Sequence, residues 1–216
     1  MNVRCTAVRA RNNKDMNSSI LYEIHNGLYV NLTNRCPCAC VFCLRNTTDR
    51  VGRSDRLWLD EEPTVEEVER LFAERDLSQY EEIVFCGFGE PTERLSDLLE
   101  IATYLKAHYD KPIRINTNGL GDLVNGRPIA PLLAGKVDVV SISLNTPNES
   151  RYMEEVRPCF GEGSYAALLR FAAECTKYVP KVVLTTVATT LTQEEEAECA
   201  EIARSMGAYY RIRPFE

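Results

Sequence analysis

The stretch Leu28 to Arg45, LYVNLTNRCPCACVFCLR, joins an apolar extended run, Leu28 to Thr33, to a loop carrying Cys36, Cys38, Cys40 and Cys43. Cys36-x3-Cys40-x2-Cys43 stands out as one three-cysteine set, with Phe42 directly before its last member. Thiolates hold four-iron clusters, and three protein ligands leave one iron open to a small molecule. Zinc competes, because tetrahedral thiolate sites also use short spacings. Structural zinc usually draws on two separated ligand pairs, and here no second cysteine pair or histidine pair exists; the histidines are His25 and His108. Cys38 lies only two residues from each neighbour, so it is expected not to share their face and not to ligate.

Outward from that loop, the composition sets limits. The chain has 216 residues, most simply one domain with a substantial core. A net charge of −7 argues against a non-specific nucleic-acid binder, which would show a basic excess. No apolar run is long enough to span a bilayer. The N-terminal MNVRCTAVRARNNKDMNSS lacks the apolar centre of a secretory signal, so the expected location is cytoplasmic. Nine cysteines, an odd number in a reducing compartment, fit a disulfide framework poorly. Cys175 and Cys199 fall on apolar helix stripes and read as core residues. Cys86 ends a strand near the presumed site.

Taken in order, residues 1 to 19 read as a poorly ordered leader, and residues 20 to 216 as a single domain. Leu28 to Thr33 is the first expected strand. Residues 46 to 63 form a long charged loop, lid-like in length. Trp58 there is either an anchor over the site or a surface plug. From Thr64 helix and strand alternate. Strands are expected at 83–88, 113–117, 137–144, 182–188 and 209–213. Capping-box spacing marks Thr64 with Glu67, Thr146 with Glu149, and Thr192 with Glu195, while Ser164 is a further candidate cap. Strand-then-helix repetition implies parallel strands with right-handed crossovers. Six strands are too few for a closed eight-unit barrel. The fold class expected is α/β, an open (βα)6 partial TIM barrel, with a flat doubly wound sheet as the alternative.

Each unusual motif falls at the C-terminal end of an expected strand: the cysteine loop, Gly87-Phe88-Gly89-Glu90-Pro91, Asn116-Thr117-Asn118-Gly119, Ser143-Leu144-Asn145, Thr185-Thr186, and Arg211-Ile212-Arg213. In parallel α/β folds that rim binds ligands.

The cysteine set with its preceding Phe42 resembles the signature of radical SAM enzymes. GFGEP is similar to their glycine-glycine-glutamate-proline motif, with Phe88 in place of one glycine. More narrowly, NLTNRCPCACVFCLRN, the FGEP turn, NTNG and SLN resemble the radical SAM proteins associated with TatD-type nucleases. The resemblance implies a [4Fe-4S] cluster on Cys36, Cys40 and Cys43, with S-adenosylmethionine on the open iron. Reductive cleavage of that cofactor would give methionine and a 5′-deoxyadenosyl radical that abstracts a substrate hydrogen. The cofactor-binding residues implied are Phe42, Gly87, Phe88, Gly89, Glu90, Pro91, Asn116, Asn118, Ser143, Asn145 and Arg211. No further catalytic residue is assigned. Expected partners are a small-molecule or peptide substrate, a one-electron donor of flavodoxin or ferredoxin type, and a functional link to a TatD-type nuclease.

Plainer readings stand beside these. Glu90 is also a plain carboxylate at a helix N-terminus. Asn118-Gly119 is also turn chemistry. Ser143 and Asn145 also suit strand termination, and Thr185, Thr186 and Thr189 also suit β-propensity. Arg211, Arg213 and Arg45 are also surface charges. The rival functions are a non-catalytic iron–sulfur or zinc module, in which Cys38 completes the ligand set, and an activase of a glycyl-radical or other protein partner.

Overall fold

Alternating apolar strands and amphipathic helices produce a single seven-stranded sheet in the order β1 to β7. The computed structural model describes residues 19–52 and 54–214. The expected leader therefore lies outside the described residues except for Ser19, which is buried and bonds through its N–H to the Arg56 carbonyl at 2.8 Å. The strands are β1 Leu21–Ile24, β2 Gly27–Val30, β3 Glu82–Phe85, β4 Ile113–Thr117, β5 Val139–Ser143, β6 Lys181–Val187 and β7 Tyr209–Arg213. The helices are α1 Val65–Ala73, α2 Leu95–His108, α3 Gly121–Asn125, α4 Glu149–Val156, α5 Ser164–Cys175 and α6 Gln193–Ser205.

Strands β2 to β7 are parallel, which gives the six expected units. One strand escaped the sequence reading. The first expected strand is the second arm of a hairpin, in which β1 pairs antiparallel with β2 across His25-Asn26. His25 takes a positive φ of 50° there, and Asn26-Gly27 is a hairpin signal that the shortness of β1, four residues, obscured.

Register gives the sheet two faces, although Val84, Val139 and Val183 share the more polar one. Leu28, Ile83 and Ile113 stand in line, as do Val30, Phe85, Ile115, Val140 and Val182, and all of them join the helix-packed core. The opposite face carries Tyr22, Tyr29, Arg114, Asn116, Ser141, Ser143, Thr185, Arg211 and Arg213. Cys86, just past β3, continues it. Arg213 on β7 acts electrostatically on the Cys86 thiol. In a flat sheet four strand spacings would hold these residues about 19 Å apart. The sheet is therefore rolled, with the polar face inside. That disposes of the doubly wound alternative.

At the base of the inner face Arg114 is held by Glu82 at 2.6 and 3.0 Å and by the Tyr29 hydroxyl at 3.3 Å. Caps mostly follow the sequence, with two corrections. The α4 cap is Asn148, whose side chain accepts from the Arg151 N–H; Thr146 instead accepts from the Asn148 N–H. Gly163, at φ 84°, caps α5 in place of Ser164, whose hydroxyl donates to the Gly161 carbonyl. At α6 the full box is present, Thr192 and Glu195 each accepting from the other's backbone. Thr192→Ala should therefore lower stability by about 1 kcal/mol in equilibrium urea unfolding. An unchanged midpoint would show that the cap contributes nothing.

Candidate functional site

The cysteine loop leaves the end of β2 and is fastened on two sides. On one side the Glu90 N–H donates to the Arg35 carbonyl at 2.8 Å, and a Cβ on Gly89 would lie 2.2 Å from the Thr33 oxygen and 2.6 Å from that of Arg35. Backbone meets backbone here, so only glycine fits. Gly87 is equally confined: its Cβ would fall 2.0 Å from Oδ1 of Asn31. Asn31 has no room to swing away, since it is buried and its Nδ2 donates to the Leu57 carbonyl at 2.7 Å and to that of Ser19 at 3.3 Å. On the other side, the N–H groups of Ala39 and Val41 donate to the end of α4, Cys159 N–H donates to the Pro37 carbonyl, and Cys38 bridges to Pro158.

Glu90 is 3% exposed and ties two strand ends together. Its Oε1 accepts from the Thr92 N–H (3.1 Å), the Thr92 hydroxyl (2.8 Å) and the Thr117 hydroxyl (2.7 Å); its Oε2 accepts from the Asn118 N–H (2.7 Å). The plainer reading of Glu90 is met, because the Thr92 bond caps the 3-10 turn Pro91–Arg94, in which Pro91 is buried. Asn118 closes a turn through Oδ1 to the Leu120 N–H at 2.9 Å, and its Nδ2 lies 3.9 Å from the Cys36 sulfur. Phe88 is buried against Tyr22 and Leu57, and Trp58 meets it edge-on at 5.3 Å. Trp58 thus anchors its loop onto the GFGEP turn, and only the backbone of Phe88 is left to face a ligand.

Cys36, Cys40 and Cys43 are all partly exposed, whereas Cys38 is buried in the main core. Spacing separates Cys38 from its neighbours, yet the Cys36 and Cys40 thiols beside it, together with burial, push its thiol well above the ordinary range. The bond with Cys38, aided by the charge of Arg45, pulls Cys40 down, while burial pushes Cys43 up. Phe42 is 41% exposed beside them. Among the described residues no group of three or more His, Cys, Asp or Glu is drawn together as a ready ion site. The three thiols stand as separate donors along one loop.

Unpartnered buried atoms mark what the site lacks. Oδ1 of Asn116 and Oδ1 of Asn145 have no donor, and Asn145 takes φ 67° at the end of β5, its Nδ2 donating to the Ser143 carbonyl at 3.3 Å. Arg45 Nη1 and the Tyr152 hydroxyl, both against the cysteine loop, are also buried without a partner. Ammonium, hydroxyl and amine groups of a nucleoside–amino acid cofactor would serve the acceptors, and sulfurs would serve the donors. The residues present fit a three-thiolate cluster with such a cofactor.

The remaining expected residues lie further out. Arg211 is exposed. Thr185 donates to the Ile142 carbonyl and Thr186 pairs with the Tyr210 hydroxyl, so both act in the sheet. A separate open cleft, lined by Arg35, Glu62, Arg94 and Asp97 among others, contains no cysteine, and its cations are paired with its acids. Sequence reasoning missed Tyr152, Asn31 and the segment around Pro158. Asn31 lies within the Leu28 to Arg45 stretch, before Cys36, whereas Tyr152 and Pro158 are brought to the site only by folding.

The family model described as Radical SAM superfamily matches residues 30–206. The chain belongs to the radical SAM superfamily. No curated protein is significantly similar to it in sequence. Solved structures with the same fold include Streptococcus suis SuiB bound to its precursor peptide SuiA, at 16% identity and a TM-score of 0.66, covering 88% of this chain and 39% of that one. Native anSMEcpe with bound AdoMet gives 17% identity, a TM-score of 0.58, and coverage of 86% and 50%. Methylornithine synthase, PylB, gives 12% identity, a TM-score of 0.58, and coverage of 88% and 53%. This radical SAM chain thus spans between about two fifths and just over half of those chains. Among its described residues no helix is long and apolar enough to cross a membrane.

Two substitutions test the site's frame. Gly89→Ala should force the GFGEP turn off the cysteine loop and abolish iron uptake, read as iron bound per chain; normal uptake would deny the close contact. In Glu90→Gln the new amide meets the Asn118 N–H donor to donor, at a cost of about 1–3 kcal/mol. Folding also raises the Glu90 carboxyl above its ordinary value, burial outweighing its four donors. Its stabilising share is then complete below the unfolded carboxylate range and lost as pH climbs through the raised folded value. The stability of wild type relative to Glu90→Gln should fall over that rise, and a flat difference would contradict it.

Proposed function

We propose that this chain is a radical SAM enzyme that binds a [4Fe-4S] cluster through Cys36, Cys40 and Cys43 and cleaves S-adenosylmethionine reductively. When bound, that pair supplies one-electron cleavage of the sulfonium to methionine and a 5′-deoxyadenosyl radical, which takes a hydrogen from the substrate. The observation that carries the reading is the three-thiol loop docked backbone to backbone on the GFGEP turn, with unpartnered acceptors beside it.

The protein's own residues bind and orient. Gly87, Gly89 and Pro91 keep the turn slim, so that its carbonyls face the methionine ammonium. Glu90 holds the turn and Asn118 in one piece. Asn116, Ser143 and Asn145 offer polar atoms to the ribose and carboxylate, and Phe42 lies beside the last cysteine for the adenine. Arg211, exposed on β7, offers its charge to the cofactor carboxylate or to an anionic substrate. The substrate, a small molecule or a peptide, enters along the polar inner face. A peptide suits this reading, since SuiB, which shares the fold, binds a precursor peptide. The reading includes a cytoplasmic setting, a flavodoxin- or ferredoxin-type donor, and, on the strength of NLTNRCPCACVFCLRN, a functional link to a TatD-type nuclease.

Anaerobic reconstitution should give about four irons per chain, and dithionite should then yield 5′-deoxyadenosine from S-adenosylmethionine. Cys38→Ala should retain both properties, while Cys40→Ala should lose both. Iron-free wild type, or loss of the cluster in Cys38→Ala, would favour the non-catalytic module instead.

A further inference from the structure

We propose that Arg45 and Tyr152 donate hydrogen bonds to the sulfurs of the bound cluster, and that the charge of Arg45 raises its reduction potential. The proposal rests on the functional reading above and assigns two positioning residues within it. Arg45 lies in the 3-10 turn Leu44–Asn46, directly after the last cysteine. Its Nη2 donates to the Cys38 carbonyl at 3.0 Å, which fixes the guanidinium against the loop. Two residues after Cys43, its charge sits beside the loop that carries Cys40 and Cys43. Nη1 nevertheless remains buried without an acceptor.

Tyr152 approaches from α4. Its side chain is fully buried, its ring packs against Tyr165 at 5.3 Å, and the end of its helix accepts from the Ala39 and Val41 N–H groups of the cysteine loop. That hydroxyl too is buried without a partner. A folded chain rarely leaves two buried donors unmet beside one loop. A sulfur-rich, negatively charged group held by that loop would give both an acceptor. Outer donors of this kind orient a metal group and tune it. Donors and a cation near the sulfurs favour the more negative, reduced state, so the potential rises.

Potentiometric titration of the reconstituted protein, followed by electron paramagnetic resonance, tests the proposal in Tyr152→Phe, Arg45→Gln and Arg45→Lys. Tyr152→Phe removes one hydroxyl and keeps the ring packing. The midpoint should move to more negative values in Tyr152→Phe and in Arg45→Gln, and stay nearer to wild type in Arg45→Lys. An unmoved midpoint in Tyr152→Phe overturns the role of Tyr152, and one in Arg45→Gln overturns that of Arg45. Iron lost in Arg45→Gln but kept in Arg45→Lys supports the role of charge; iron lost in both overturns it. Wild type that takes up no iron refutes the functional reading itself, a result distinct from an unmoved midpoint.

Discussion

The site depends on one backbone contact, the Glu90 N–H on the Arg35 carbonyl, made possible because Gly89 has no side chain. It locks the turn after β3 onto the loop after β2, which sets the cysteines at a fixed distance from the GFGEP carbonyls. Any β-carbon at position 89 would prise the two apart. Glu90 then extends the joint sideways to β4 through Thr117 and Asn118, so that three strand ends move as one body. A ligand held between thiols and turn would meet a rim already assembled.

The rolled sheet supplies the other half of the arrangement. Strand register sends most aliphatic side chains outward to the helices and leaves tyrosine, asparagine, serine, threonine and arginine inside, with Val84, Val139 and Val183 among them. The Arg114–Glu82 pair satisfies the charges at the base, with Arg114 buried and Glu82 partly exposed. Polar groups nearer the rim, Asn116 and Asn145 above all, keep unmet acceptors. Stability is thus concentrated outside and below, and recognition inside and above, as in parallel α/β enzymes generally.

Most of the architecture was legible because period and punctuation agreed. The apolar runs at 113–117 and 209–213 became strands with those bounds, and the Thr192–Glu195 signal formed in full. The chemistry-bearing loop was legible from cysteine spacing alone. Failures came where tertiary structure decided. Strand β1 is short and carries Tyr and Glu, so its pairing with β2 outweighs a weak local signal. Cys38 looked isolated by spacing, yet the loop is drawn against Pro158 and brings that thiol to its neighbours. Gly89 was read as leaving room for the cofactor, and it first leaves room for the cysteine loop. Tyr152 gave no sign in the sequence, since its helix is brought to the cysteine loop by the Ala39 and Val41 N–H bonds to the end of α4.

An anaerobic crystal structure of the reconstituted protein with S-adenosylmethionine tests the central claim most directly. The account predicts sulfur from Cys36, Cys40 and Cys43 on three irons, with the amino and carboxylate groups of the cofactor on the fourth and Cys38 unligated. A fourth iron bound by Cys38 or by any other protein group would contradict it.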